Sequence, residues 1–426
     1  MLRPALALAA LLSGTSALAA PTYIHAGRLI AVPGQTPRGA TTIVVDEGKI
    51  VAVQDGYTPA PAGADTIDLK SRTVLPGLID SHTHLSSDRA GNEGITAMVT
   101  DSLPLNAHET YWNGMKTLRA GFTTVRNLGD DDGKVLALKE ASRRGWVLAP
   151  RIVDAGESIS TSGGHMDGRV GLADDVHALI GTENLCDGAD DCRRAVRRQI
   201  GRGADVIKFA STGGVNSGTG LATRMFEDEA RALVDTAHAY GRKVAVHAHG
   251  AEGIKLAVRV GADSIEHGTM IDDEIVKLMK EHKTFYVPTL STVNGYLERL
   301  AANPNAYPPA IKAQIDWRIG VTGKSLAKAF PAGVRIAYGT DAGVSKHGRN
   351  ADEFELLVKF GMPPVEAIKA ATINAAELLG VDKETGTIEV GKAADIIAVD
   401  GDPLSDVKVL KAMKFVMARG TVVVAP

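Results

Sequence analysis

Apolar and polar positions along the 426-residue chain fall into two patterns. Both ends alternate with a period of about two. Tyr23–Ile30, Thr41–Val45 and Lys49–Val53 do so near the start; Thr387–Val390, Ala394–Val399, Phe415–Ala418 and Thr421–Val424 do so near the finish. Pro33-Gly34, Gly48, Gly391, Gly401 and Gly420 punctuate these runs, so they predict short β-strands joined by turns. The middle keeps a different rhythm. Short apolar runs at Val74–Ile79, Thr123–Arg126, Arg151–Ala155, Val206–Phe209, Val244–Val246, Ser264–Ile265, Phe285–Val287 and Val334–Ala337 are separated by longer stretches. Many of those are amphipathic, including Asp191–Arg202, Glu227–Tyr240, Gly250–Val260, Asp272–Glu281 and Pro309–Ala329.

Strands alternating with helices predict βα units and a parallel sheet. Eight such units, with no Gly-x-Gly-x-x-Gly fingerprint after the first strand, point to an α/β fold of the (β/α)8 TIM-barrel type over a doubly wound sheet. The two strand-rich ends predict one small β domain assembled from both termini. The expected division is residues 21–75 plus 383–426 for that domain and 76–382 for the barrel.

Residues 1–20 stand apart. Arg3 gives a short positive start, Pro4–Leu12 is apolar but too short to span a bilayer, and Ala17-Leu18-Ala19 has the small-residue pattern of a cleavage site. The expectation is a signal peptide on an exported, periplasmic or secreted protein with no membrane span. The only cysteines, Cys186 and Cys192, flank a polar, glycine-containing segment. A loop disulfide suits an oxidising compartment, with two unpaired thiols as the alternative. The lack of nearby histidine, and two thiols that do not fill a tetrahedral shell, argue against a zinc site there. The formal net charge of −3 and the absence of a basic run argue against a nucleic-acid partner.

The chemistry gathers where barrel strands should end, which is where active sites of this fold sit. Six of the twelve histidines, His82, His84, His165, His247, His249 and His267, lie at or just beyond these points. His82 and His84 share one face of a strand and could grip a single metal ion. With His247, His267 and Asp341 nearby, the N/O donor set suits zinc or a similar divalent ion. Lys208 sits inside an apolar strand, a costly place for an ammonium. Snorkelling to the strand end is one explanation. The other is that its amine has reacted with carbon dioxide, giving an anionic carbamate that bridges two metals.

Pro76-Gly77-Leu78-Ile79-Asp80-Ser81-His82-Thr83-His84, followed by Lys208, His247, His267 and Asp341, resembles the binuclear form of the amidohydrolase superfamily. Gly386–Asp395 resembles the returning strand of its small β-sandwich domain, which implies that the terminal domain is a sandwich. Gly121–Arg126, Ile207-Lys208 with Ser211–Val215, and His247-Ala248-His249-Gly250 resemble the imidazolonepropionase-like, prolidase-like branch. That branch includes Xaa-Pro and other Xaa-amino-acid carboxypeptidases and ochratoxin-degrading amidohydrolases. The resemblance implies two divalent ions, His82, His84 and Asp341 on one, His247 and His267 on the other, and carboxylated Lys208 between them. It implies Asp341 as the catalytic proton carrier, His249 as a substrate contact or a group supporting the ligands from behind, and a homo-oligomer, up to an octamer. His165 is the candidate contact for a substrate carboxylate; Arg224 and Arg349, on nearby loops, read as solvated.

The expected substrate is therefore a small N-acyl amino acid or dipeptide with a free C-terminal carboxylate. A cyclic-amide (lactam or imidazolone) hydrolase is the alternative. A mononuclear deaminase would not need Lys208, and a non-catalytic scaffold would not need a full ligand set. No Gly-x-Ser-x-Gly elbow supports a serine hydrolase.

Overall fold

The structure, a computed structural model, describes residues 20–129, 132–217 and 219–426. Apart from Ala20, the expected signal peptide lies outside the described residues. Alternating segments near the start form β1 (Thr22–Leu29), β2 (Thr41–Asp46) and β3 (Lys49–Asp55), followed by a longer β4 (Asp65–Pro76). The middle supplies β5 (Leu78–Thr83), β6 (Phe122–Asn127), β7 (Arg151–Asp154) and β8 (Val206–Ala210). It continues with β9 (Lys243–Ala248), β10 (Ser264–His267) and β11 (Phe285–Val287). The chain ends with β12 (Ile396–Val399), β13 (Phe415–Ala418) and β14 (Thr421–Val424).

Both termini share one sheet, in the order β14-β13-β12-β4-β1-β2-β3. Ile50 N donates to Lys392 O and Ala394 N to Gly48 O, each at 2.9 Å. The β2–β3 hairpin thus returns to the segment leading into β12, three strands away in the sheet. The sheet curls over a shared apolar face that buries Ile24, Ile43, Val74, Ile396 and Phe415. The expected strand Thr387–Val390 is not one. Ile388 N donates to Ala31 O at 2.8 Å and Gly391 N to Ile50 O at 2.8 Å, so the segment crosses the curled sheet as a connector.

The middle strands are parallel, in a three-stranded sheet β5-β6-β7 and a four-stranded sheet β8-β9-β10-β11. Isolated bridges join them. Ile159 N donates to Lys208 O at 2.8 Å beyond β7, and Tyr286 N to Arg335 O at 2.8 Å beside β11. Ser81 N then donates to Tyr338 O, and Asp341 N to His82 O, both at 2.8 Å. The expected eighth strand, Val334–Ala337, is only a bridge at Ile336. Its neighbourhood shares hydrogen bonds among β11, β5 and Ala370, which accepts from Tyr338 N at 3.0 Å, so no regular ladder forms.

Helices Ala189–Arg202, Glu227–Ala239, Ala251–Arg259 and Asp273–His282 lie within two residues of expectation. The expected Pro309–Ala329 breaks at Thr322-Gly323 into Pro309–Val321 and Lys324–Ala329. No helix among the described residues is long and apolar enough to cross a membrane. Cys186 and Cys192 form a disulfide. Cys186 N donates to Ser160 O at 2.9 Å, which ties this loop to the segment preceding His165.

The expected first strand Val74–Ile79 divides at Gly77. Gly77 N donates to Asp395 O at 2.8 Å, towards the terminal sheet, and Leu78 N to Gly121 O at 2.9 Å, towards β6. A Cβ here would lie 2.1 Å from Thr123 Oγ1. Overpacking of this kind costs ~1–3 kcal/mol. Gly77→Ala should lower the urea midpoint with little change in the denaturant slope; an unchanged midpoint would contradict the tight join.

Candidate functional site

β5 delivers His82 to a buried position and His84 follows at the strand end. The strand end is pinned by Asp80, which is fully buried and accepts from Thr340 Oγ1 at 2.6 Å, Asn350 Nδ2 at 2.8 Å and Thr340 N at 3.1 Å. Burial raises the Asp80 pKa to about 6 against the pull of these hydrogen bonds. Opposite, His267 and Asp341 take left-handed backbone angles, φ 70° and 57°. Such conformations cost about 1–3 kcal/mol each outside glycine, and the hydrogen bonds around them hold the two side chains inward.

Two donor groups result. In one, His82, His84 and Asp341 offer atoms within 4.8 Å of one another, with Asp341 Oδ1 3.2 Å from His84 Nε2 and 3.5 Å from His82 Nε2. In the other, His247, His249 and His267 do the same. The rings of His82 and His267 lie 5.0 Å apart, linking the groups. Lys208, 1% exposed, lines the same cavity. Histidines 247, 249 and 267 are held well below their ordinary pKa, first by burial, and His82 is brought down to about 4 by burial and then the Lys208 charge. At neutral pH these rings are uncharged and their lone pairs are available.

The donors fit a metal. His82 Nε2 is buried without a hydrogen-bond partner, while His82 Nδ1 donates to the Glu266 carboxylate at 2.8 Å. Glu266 also receives Arg126 Nη2 at 2.8 Å. Burial alone would raise the Glu266 pKa, but Arg126 and His82 outweigh it and bring it to about 2. His267 Nδ1 bonds Thr289 Oγ1, and His249 Nδ1 bonds Thr269 Oγ1, each at 2.7 Å. Outer partners of this kind fix the ring orientation of metal-binding histidines. Burial would raise the Asp341 pKa too, yet His82 and His84 hold it well below the usual carboxylate range.

All eight expected site residues line one cavity of about 110 Å³. His165 enters it with its ring 4.2 Å from that of His247. Gly214 permits this, since a Cβ there would meet the His165 ring at 2.1 Å. Burial, then the Lys208 charge, lowers the His165 pKa to about 4, so the ring is a neutral hydrogen-bonding group and not a cation for a carboxylate. A second chamber of about 280 Å³ adjoins through His84, His165 and Met166. A groove of about 680 Å³ lies elsewhere, lined by mixed charges around Glu355 and Lys411, and contains none of these histidines.

Arg349 pairs with Glu298 and Asp352, and Arg224 bonds Thr219 O; neither lines the cavity. Sequence reading missed Arg318, which does line it and is 3% exposed. It also missed the Arg126–Glu266 pair. The only available signals were an arginine in an apolar strand and an acid directly before His267.

Residues 73–423 match the model of the amidohydrolase family. The chain belongs to the amidohydrolase family. It is a hydrolase acting on C–N bonds, in a metal-dependent family, with two histidine clusters that could bind a metal. An ochratoxinase of Aspergillus niger is 32% identical over 93% of this chain and 84% of its own length. The crystal structure of a Xaa-Pro dipeptidase with bound methionine in the active site has a TM-score of 0.89 at 38% identity, over 95% of this chain and 99% of that one. A prolidase complexed with N-methylphosphonate-L-proline gives 0.85 at 33% identity, over 95% and 100%. The branch expected from the motifs is the one these relatives occupy.

In this amidohydrolase, Glu266→Gln should weaken metal binding about 10- to 100-fold, the usual cost of losing an outer partner. Competition with a chromophoric chelator measures it. Unaltered affinity would show that the Glu266–His82 bond does not support a metal.

Proposed function

We propose that the chain is a binuclear metal-dependent amide hydrolase acting on N-acyl amino acids or dipeptides with a free C-terminal carboxylate, ochratoxin-type amides included. One observation carries this: two histidine-rich donor groups and a buried lysine converge in a single cavity. His82, His84 and Asp341 would hold one ion and His247 and His267 the other, with zinc the suited metal. Carboxylated Lys208 would bridge them. Burial lowers the Lys208 pKa to about 8, so a useful fraction of its amine is uncharged and nucleophilic towards carbon dioxide. The new N–C bond releases one proton and leaves an anion.

When bound, the two ions supply Lewis acidity and a water acidic enough to attack near neutral pH. The remaining work belongs to the chain. Asp341, ionised at neutral pH, accepts the proton of the attacking water at its carboxylate. The proton it takes up is then delivered to the leaving nitrogen, the two halves of general acid–base catalysis. His165 and His249, both neutral, orient the substrate by hydrogen bonds. Burial of the cavity walls limits access of bulk water.

We read the parallel strands as a (β/α)8 barrel, supported by the bridges that join the two sheets at both seams. The curled terminal sheet is read as the small β-sandwich, with the division 21–75 plus 383–426 and 76–382. Export is supported by the disulfide, which suits an oxidising compartment. The relatives support the substrate class: two similar structures hold methionine or an N-methylphosphonate derivative of L-proline.

A panel of N-acyl amino acids, dipeptides and lactams tests the reading. Hydrolysis of the open-chain acids at rates well above those of the lactams is expected. Ring opening without exopeptidase activity would overturn it in favour of a cyclic-amide hydrolase.

A further inference from the structure

A substrate carboxylate calls for paired hydrogen-bond donors in the cavity wall. We infer that Arg318 is the specificity-determining residue that receives the substrate's free carboxylate. This rests on the substrate class proposed above and assigns the residue that enforces it.

Arg318 lies on the helix Pro309–Val321 with 3% of its surface exposed. Its guanidinium donates to Thr322 Oγ1 at 3.1 Å and, more weakly, to Thr289 O at 3.4 Å. An arginine carries five N–H donors, so most of its capacity is unspent. Among the described residues no carboxylate lies within ion-pair distance of it. Arg126, the other deeply buried arginine near the site, contrasts with it: Glu266 neutralises that charge at 2.8 Å. A buried cation left without an anion is costly. Arg318 retains its place in the wall of the cavity that holds Asp341, His249 and Lys208. The missing partner is therefore an anion that arrives with the ligand. A planar guanidinium matches a carboxylate through paired N–H···O bonds, which a neutral amide cannot reproduce. Substrates with an ionised C-terminus are thereby selected over their amides.

The test compares N-acetyl-L-methionine, N-acetyl-L-phenylalanine and N-acetyl-L-proline with their C-terminal carboxamides, using the metal-loaded enzyme. The wild type should prefer the acids. In Arg318→Gln that preference in kcat/KM should fall about ten- to a hundredfold, mainly through KM. Arg318→Lys keeps the charge without the fork, so it should lose part of the preference; it also gives a reading if the glutamine variant does not fold. Thermal unfolding and metal content monitor both. A wild-type preference that survives undiminished in a folded variant overturns the role of Arg318 alone. A wild type that treats acids and amides alike overturns the substrate class, and this inference with it.

Discussion

Burial of opposite charges at the ends of the parallel strands is the constraint on which the rest of the site depends. Lys208, Arg126, Glu266 and Asp341 are all nearly or fully withdrawn from water. Each would be prohibitive alone. Together they form a balance in which Arg126 holds Glu266 ionised, Glu266 holds the His82 ring, and Asp341 lies against His84 and the Lys208 charge. The imidazoles take the remaining burden by staying neutral. Such an arrangement is poorly suited to fold stability, since apolar residues of similar volume would do as well or better. Its retention points to chemistry.

The backbone is shaped to the same end. Asp80 spends its carboxylate on Thr340 and Asn350, which fastens β5 to the irregular segment carrying Asp341. His267 and Asp341 adopt strained left-handed angles at the rim. The missing eighth strand belongs here too. A regular strand over Val334–Ala337 would extend the β ladder, but its hydrogen bonds are divided among β11, β5 and Ala370, which frees the following turn to place Asp341.

Much of this was legible in the sequence because periodicity carries the signal. The alternation of short apolar runs with amphipathic stretches located seven middle strands, and the two-residue spacing of His82 and His84 put both rings on one side. Lys208 stood out as a cation in an apolar run. Other features were opaque for physical reasons. Thr387–Val390 alternates like a strand, yet its backbone partners come from different strands. The helix Pro309–Ala329 breaks at a glycine that composition alone does not mark. Arg318 looks like any solvated arginine on a surface helix; only the packing of that helix over the cavity turns it inward. The protonation of His165 depends on burial by residues distant in sequence, so the sequence left open whether it would act as a cation or as a neutral hydrogen-bonding group.

Metal content of the purified wild type and of Lys208→Ala, measured by elemental analysis after exhaustive dialysis in bicarbonate-containing buffer, tests the central claim most directly. The account predicts about two divalent ions per chain in the wild type, and one or none in the variant, because the bridging anion cannot form. Two ions retained in Lys208→Ala, or none in the wild type after metal reloading, would contradict it.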